Sequence, residues 1–225
     1  MKAVLLASLF LISTGVSAQT RDDFRFWSSF SYSTKITDKW TVLLDNEARW
    51  ENNATVLGRY FFEPGIRYKF SDLFRLQLQY RFIRDFDERW WGNRHRVTLD
   101  AIFKIKQARW KYLIRSRFQY EVNGYGFIDE SLSVPELYNR EMMKVNYLVN
   151  RYWEPFVSFE ARFLFQDDAL PGFIGLDRHR LRVGTDYNIS NQLKFGGFLS
   201  WQQEWNRQTN DRLLILGFEI SWNAL

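Results

Sequence analysis

The sequence predicts an all-β protein, a single antiparallel transmembrane β-barrel of about 10–12 strands. Three observations carry the prediction: polar and apolar residues alternate through eleven successive segments, the segments are long, and the joins between them are alternately short and long. Alternation with a period of two puts successive side chains on opposite faces of an extended chain, so each segment is a strand with one apolar and one charged face.

Residues 1–18 stand apart from this pattern. Lys2 precedes an apolar run from Val4 to Val16, and the small residues Val16, Ser17 and Ala18 precede Gln19. That order reads as a secretory signal cleaved after Ala18, and the run is too short to span the roughly 30 Å of hydrocarbon in a bilayer. Residues 19–225 are expected to form the barrel.

The first strand is expected at 24–36. In 40–51, Trp40, Val42, Leu44, Ala48 and Trp50 share one parity while Thr41, Asp45, Glu47, Arg49 and Glu51 take the other, with Asn46 out of step. Segment 58–70 sets Phe62, Tyr68 and Phe70 against Arg59, Glu63 and Arg67. Segment 73–84 sets Phe74, Leu76, Leu78, Tyr80 and Phe82 against Arg75, Gln77, Gln79 and Arg81. Segment 94–105 carries Arg96 and Asp100 on its charged face. Segment 109–121 sets Trp110, Tyr112, Ile114, Phe118 and Tyr120 against Lys111, Arg115, Arg117, Gln119 and Glu121. Then come 138–148 with Tyr147 against Lys144, 153–165 with Trp153 and Phe163 against Glu160 and Arg162, and 178–189 with Tyr187 against Arg180, Arg182 and Asp186. The last two are 192–204, with Trp201 against Glu204, and 212–222, where Leu214, Leu216, Phe218, Ile220 and Trp222 form one apolar file that also takes in Arg212 unless a bulge intervenes.

Strands of soluble proteins usually run about 5–6 residues, and a tilted strand needs about 9–11 to cross a bilayer. These segments therefore have membrane length. The short joins are Thr37–Lys39, Ser71–Asp72, Lys106–Ala108, Val149–Tyr152 and Ser190–Asn191; the longer ones are 52–57, 85–93, 122–137, 166–177 and 205–211. The longer joins hold Asp85, Asp87, Glu88, Trp90, Trp91, Asp129, Glu130, Asp167 and Asp168, with Gly124, Gly126, Pro135, Pro171 and Gly172. Short turns at one end and long loops at the other are the asymmetry of outer-membrane barrels. Single-chain bacterial barrels have even strand numbers, and eleven would leave the first and last running parallel unless one segment is miscounted or the N-terminal one lies outside the ring.

Composition narrows the chemistry. Among 225 residues there is no Cys, which excludes disulfides and thiolate chemistry, and 19% are aromatic. The charge of +5 is spread along strands, so no nucleic-acid partner is expected. No metal-ligand spacing or cofactor motif occurs. The lumen is expected to hold a network of both signs: Asp45, Glu47, Arg49, Glu63, Arg67, Asp100, Arg115, Arg117, Glu160, Arg162, Arg182 and Asp186. Long side chains of opposite charge would cross-link and largely fill a barrel of this size.

A short repeat follows the long loops: a polar residue or Gly, then Arg, as in Gly58-Arg59, Asn93-Arg94, Asn139-Arg140, Asp177-Arg178 and Asp211-Arg212. Two copies extend to Arg94-His95-Arg96 and Arg178-His179-Arg180. Arg59, Arg94, Arg96, Arg140, Arg178 and Arg180 are thus candidates for a cationic rim at the outer mouth, able to bind an anionic group or to pair with lumen carboxylates.

The runs Asp23-Phe24-Arg25-Phe26-Trp27, Asp45-Asn46-Glu47-Ala48-Arg49, Arg59-Tyr60-Phe61, Tyr80-Arg81-Phe82 and Asn93-Arg94-His95-Arg96 resemble the family known as domain of unknown function 2490, over essentially the whole chain after the signal. The resemblance implies a Gram-negative outer-membrane barrel and brings no activity with it. The partners expected are outer-membrane lipid, lipopolysaccharide and, during biogenesis, the barrel-insertion machinery, to which Gly217, Ile220 and Trp222 would present a terminal signal. The sequence leaves the oligomeric state open.

A structural or binding barrel is the leading functional expectation. The alternatives are a narrow pore and a lipid-modifying enzyme using His95 and His179. Both His residues fall on the apolar parity, where the nearest hydroxyls in neighbouring strands are those of Ser116 and Thr185, and no nucleophile–base pairing emerges from the spacing.

Overall fold

A computed structural model describes residues 20–86, 91–124, 136–167, 175–205 and 210–224. The expected signal at 1–18 and the loop residues Asp87, Glu88, Trp90, Gly126, Asp129, Glu130, Pro135, Asp168, Pro171 and Gly172 lie outside them. Eleven strands close into a barrel: β1 (Thr20–Lys35), β2 (Trp40–Glu51), β3 (Val56–Lys69), β4 (Phe74–Phe86), β5 (Trp91–Gln107), β6 (Trp110–Asn123), β7 (Glu136–Tyr147), β8 (Trp153–Asp167), β9 (Gly175–Asn188), β10 (Leu193–Glu204) and β11 (Asn210–Ala224). Neighbours pair antiparallel, while β1 and β11 pair parallel from Thr20 opposite Asn210 to Thr34 opposite Ala224. The odd number is real, and closure leaves no sheet edge.

Several strands begin earlier or run longer than the alternation indicates. β1 starts at Thr20 instead of 24, and Asp85, Trp91 and Asp167, expected in loops, are strand residues. Ladder hydrogen bonds continue past the point where the side-chain pattern gives way to turn-forming residues. Bulges shift the register at Arg49/Trp50, Leu137/Tyr138 and Arg162/Phe163, all toward the long-loop end. A bulge adds local twist where strands curve away from the barrel.

Four of the short turns, those after β1, β3, β7 and β9, share a device. The backbone N–H of Trp40 donates to Thr37 Oγ1 at 3.0 Å, Phe74 to Ser71 Oγ at 3.0 Å, Trp153 to Asn150 Oδ1 at 2.9 Å and Leu193 to Ser190 Oγ at 3.0 Å. Ser, Thr or Asn three residues ahead thus satisfies the first amide of the returning strand. In the turn after β3, a 2.5 Å bond from Lys69 holds the exposed Asp72 carboxyl below its ordinary range.

Alternate residues face out. Phe62, Leu78, Leu99, Phe118, Val157 and Leu181 are each at least 40% exposed, whereas Glu63, Gln79, Asp100, Gln119 and Glu160 are buried. Rings form a belt around the short-turn end. Trp40 lies on Tyr68, Tyr68 on Phe70 and Phe74 on Phe103, with Trp110 on Tyr147, Trp153 on Tyr187 and Tyr32 on Trp222, at centroid distances of 4.7–5.9 Å. A second set, Phe26 with Trp50 and His179 with Trp201 and Trp205, lies toward the long-loop end.

The inner face is not wholly charged. Trp27, Phe156, Phe198, Leu213 and Ile215 form a buried apolar cluster where β8–β11 meet β1. β11 is therefore apolar on both faces. Phe198 pairs with Gly184 on β9 and Gly217 on β11; its ring lies over Gly217, where an added Cβ would overlap it, and the Phe156 ring lies against Gly184.

Candidate functional site in the barrel lumen

Inward positions of strands β2–β9 deliver the charged side chains expected in the lumen, and register decides which of them meet. At the long-loop mouth, Arg59 Nε lies 2.5 Å from Asp85 Oδ1, and Arg94 places Nε and Nη2 on the two Asp85 oxygens at 2.7 and 2.8 Å. Arg94 and Arg96 both reach Glu121, which also accepts from the Tyr138 hydroxyl at 3.2 Å. Arg162 donates to Asp177, and Arg178 pairs with Glu204. Arg25 bridges Asp23, Glu51 and Asp211. Glu121 and Asp177 have side chains only 1% exposed, so the lattice is dry at these two carboxylates.

All six rim candidates thus carry carboxylate partners. Arg140 and Arg180 do not lie at the mouth. β7 begins at Glu136 and β9 at Gly175, which carries these two Arg residues down to mid-barrel, where both reach Glu160.

Lower down, Arg117 forks onto Asp100 and Arg81 onto Glu63. Arg49 binds Glu47 at 2.5 Å and lies 3.7 Å over the Trp27 ring. Asp45 accepts from Gln79 at 2.8 Å, and Arg67 donates to Gln77 at 2.8 Å. Arg182 stacks 3.8 Å from the Phe198 ring and reaches Glu219 at 3.4 Å. Toward the short turns, Lys144 and Lys194 share Asp186.

Two neighbouring cavities with shared walls remain at mid-height, where β1 presents the small Ser29 and Ser31 beside Trp27. One, of about 290 Å³, lies beside Asp45, Glu47, Glu63, Gln77 and Gln79. The other, of about 180 Å³, is lined by Arg49, Arg81, Arg115, Arg117, Arg140, Lys144, Arg180 and Arg182 against Glu47, Glu160 and Glu219. Arg115, Arg140 and Arg180 converge on the single Glu160 carboxylate.

The two His residues face outward, as their parity indicates. The Tyr80 hydroxyl and His95 Nδ1 are 2.5 Å apart, and His179 lies among Phe159, Trp201 and Trp205. Ser116 instead donates to Glu141 at 2.5 Å, and Asn139 approaches the same hydroxyl at 3.4 Å. An outward carboxylate at mid-height was not anticipated. Arg212 is outward as well, without a bulge in β11, and lies 3.8 Å from Asp22.

Three carboxylates that organise the long-loop mouth, Asp85, Glu121 and Asp177, were absent from the expected lumen network. Asp85 and Glu121 continue the parity of Arg81 and Arg117 along their own strands, and that signal could have found them. Asp177 could not be found this way, because the β8–β9 register shifts at Arg162/Phe163. Among the described residues, no group of three His, Asp or Glu side chains is placed to hold a metal ion.

Comparison with known proteins adds a family. The model described as "Protein of unknown function (DUF2490)" matches residues 24–213. No curated protein matches the chain. Among solved structures, the chain is similar to one titled "Bacterial polysaccharide outer membrane secretin", at 14% identity and a TM-score of 0.44 over 80% of this chain and 83% of that one.

Proposed function

The chain belongs to the DUF2490 family of proteins of unknown function, and we propose that it is an outer-membrane β-barrel of a Gram-negative bacterium, with a structural or binding role and a lumen closed at the long-loop mouth. The spacing of the outward rings carries this reading. Trp40 and Trp50 on β2, like Trp110 and Tyr120 on β6, are ten residues apart, which at a tilt near 40° is about 25 Å along the barrel axis. That matches the apolar band of outer-membrane barrels, and the aliphatic residues between the rings would meet acyl chains.

In this reading the short turns face the periplasm, the long loops face outward, and the last strand is read by the insertion machinery. Lipid and lipopolysaccharide surround the apolar wall. The lattice of Arg59, Arg94, Arg96 and Arg162 with Asp85, Glu121 and Asp177 is the reason to favour closure over conduction, because each guanidinium is held by a buried carboxylate.

Fractionation with heat-modifiable gel migration tests location: the mature chain is expected in the outer membrane as a compact band that shifts on boiling, and recovery in the soluble fraction would sink the proposal. Planar bilayers test closure, since steady conductance would refute a sealed mouth.

A further inference from the structure

We propose that the smaller mid-lumen cavity binds a small oxyanion with the charge and shape of phosphate, entering from the short-turn mouth. The proposal names a ligand class for the lumen and rests on the barrel reading given above.

Charge imbalance is the first argument. Arg115, Arg140 and Arg180 converge on Glu160, so one carboxylate answers three guanidinium groups. Arg182, on the same wall, reaches its nearest carboxylate only at 3.4 Å. A buried cationic excess is costly unless an anion offsets it. The guanidinium fork matches phosphate and carboxylate oxygens in a bidentate manner.

Room is the second argument. Ser29 borders the same space and contributes a hydroxyl. A volume of about 180 Å³ accepts an ion of phosphate size with a few waters, each of which takes about 30 Å³.

The two mouths differ in charge. Toward the long loops the part-exposed Arg59 and Arg178, at 31% and 22%, are each held by a buried carboxylate, whereas toward the short turns Lys144 and Lys194, at 22% and 36%, share the single Asp186. Lysines at that entrance would draw anions inward.

The test uses the full mature chain, refolded in detergent and checked for heat-modifiable migration, with inorganic phosphate titrated calorimetrically at fixed ionic strength. One saturable site is expected. Ser29→Asp, which adds a carboxylate to the cavity without removing an existing ion pair, should weaken binding by about tenfold or more. A folded wild-type barrel that takes up no phosphate overturns the proposal, as does equal binding by Ser29→Asp or equal competition by chloride. A chain that is not heat-modifiable and stays soluble without detergent removes the barrel reading itself, so the two failures are distinct.

Discussion

Asp100 on β5 and Arg117 on β6 are direct register partners, and two guanidinium nitrogens meet the two carboxylate oxygens at 2.6 Å each. Both residues are buried, Asp100 completely. Removing one partner of such a pair strands the other charge, whereas replacing both with apolar groups of similar volume is often neutral. Asp100→Asn is therefore expected to lower unfolding stability by about 3–5 kcal/mol, and Asp100→Leu with Arg117→Leu to recover most of it. Urea titrations read by the folded and unfolded gel bands measure both; an additive double variant would show that the two side chains do not act as a unit.

Phe198 occupies space that Gly217 leaves open. Gly217→Ala should cost about 1–3 kcal/mol by overpacking, and Phe198→Leu in the same chain should return part of that loss. Thermal unfolding of the single and double variants checks it. A Gly217→Ala barrel as stable as the parent would mean the ring moves aside freely.

Leu78 projects outward midway up β4 and is 47% exposed. On a water-facing wall, Leu78→Lys would change stability by no more than about 0.5 kcal/mol. At the mid-plane of a bilayer the same change costs about 2–4 kcal/mol. Refolding into liposomes is expected to give the larger figure.

Glu141 and Ser116 share one hydrogen bond on that same outer wall. An outward carboxylate is unfavourable in lipid, and replacing both members of a hydrogen-bonded pair avoids leaving either one unmet. Ser116→Ala combined with Glu141→Leu and with Asn139→Leu, whose amide donates to the same hydroxyl, should raise stability by about 1 kcal/mol in liposomes. Loss of stability would show that the polar notch contributes to the fold.

Alternation makes the barrel readable from the sequence, because a wall with two unlike faces must alternate, and Trp40, Leu78 and Trp110 fall where their parity puts them. What escaped the pattern has physical causes. Asp85 and Trp91 lie beside loop-forming residues and read as loop, though the ladder runs through them. Leu213 and Ile215 give β11 two apolar faces, so alternation there identifies only the outer file. The convergence of three Arg residues on Glu160 depends on stagger between strands, which no single segment encodes. The bulge that brings Asp177 to Arg162 is equally silent in the sequence.

Parallel pairing of β1 with β11 has a topographic consequence. Thr20 lies beside the long loops and Ala224 beside the short turns, so the two ends of the barrel stand at opposite mouths. In the outer-membrane setting proposed above, reporters fused at these two positions would be read from opposite faces of that membrane.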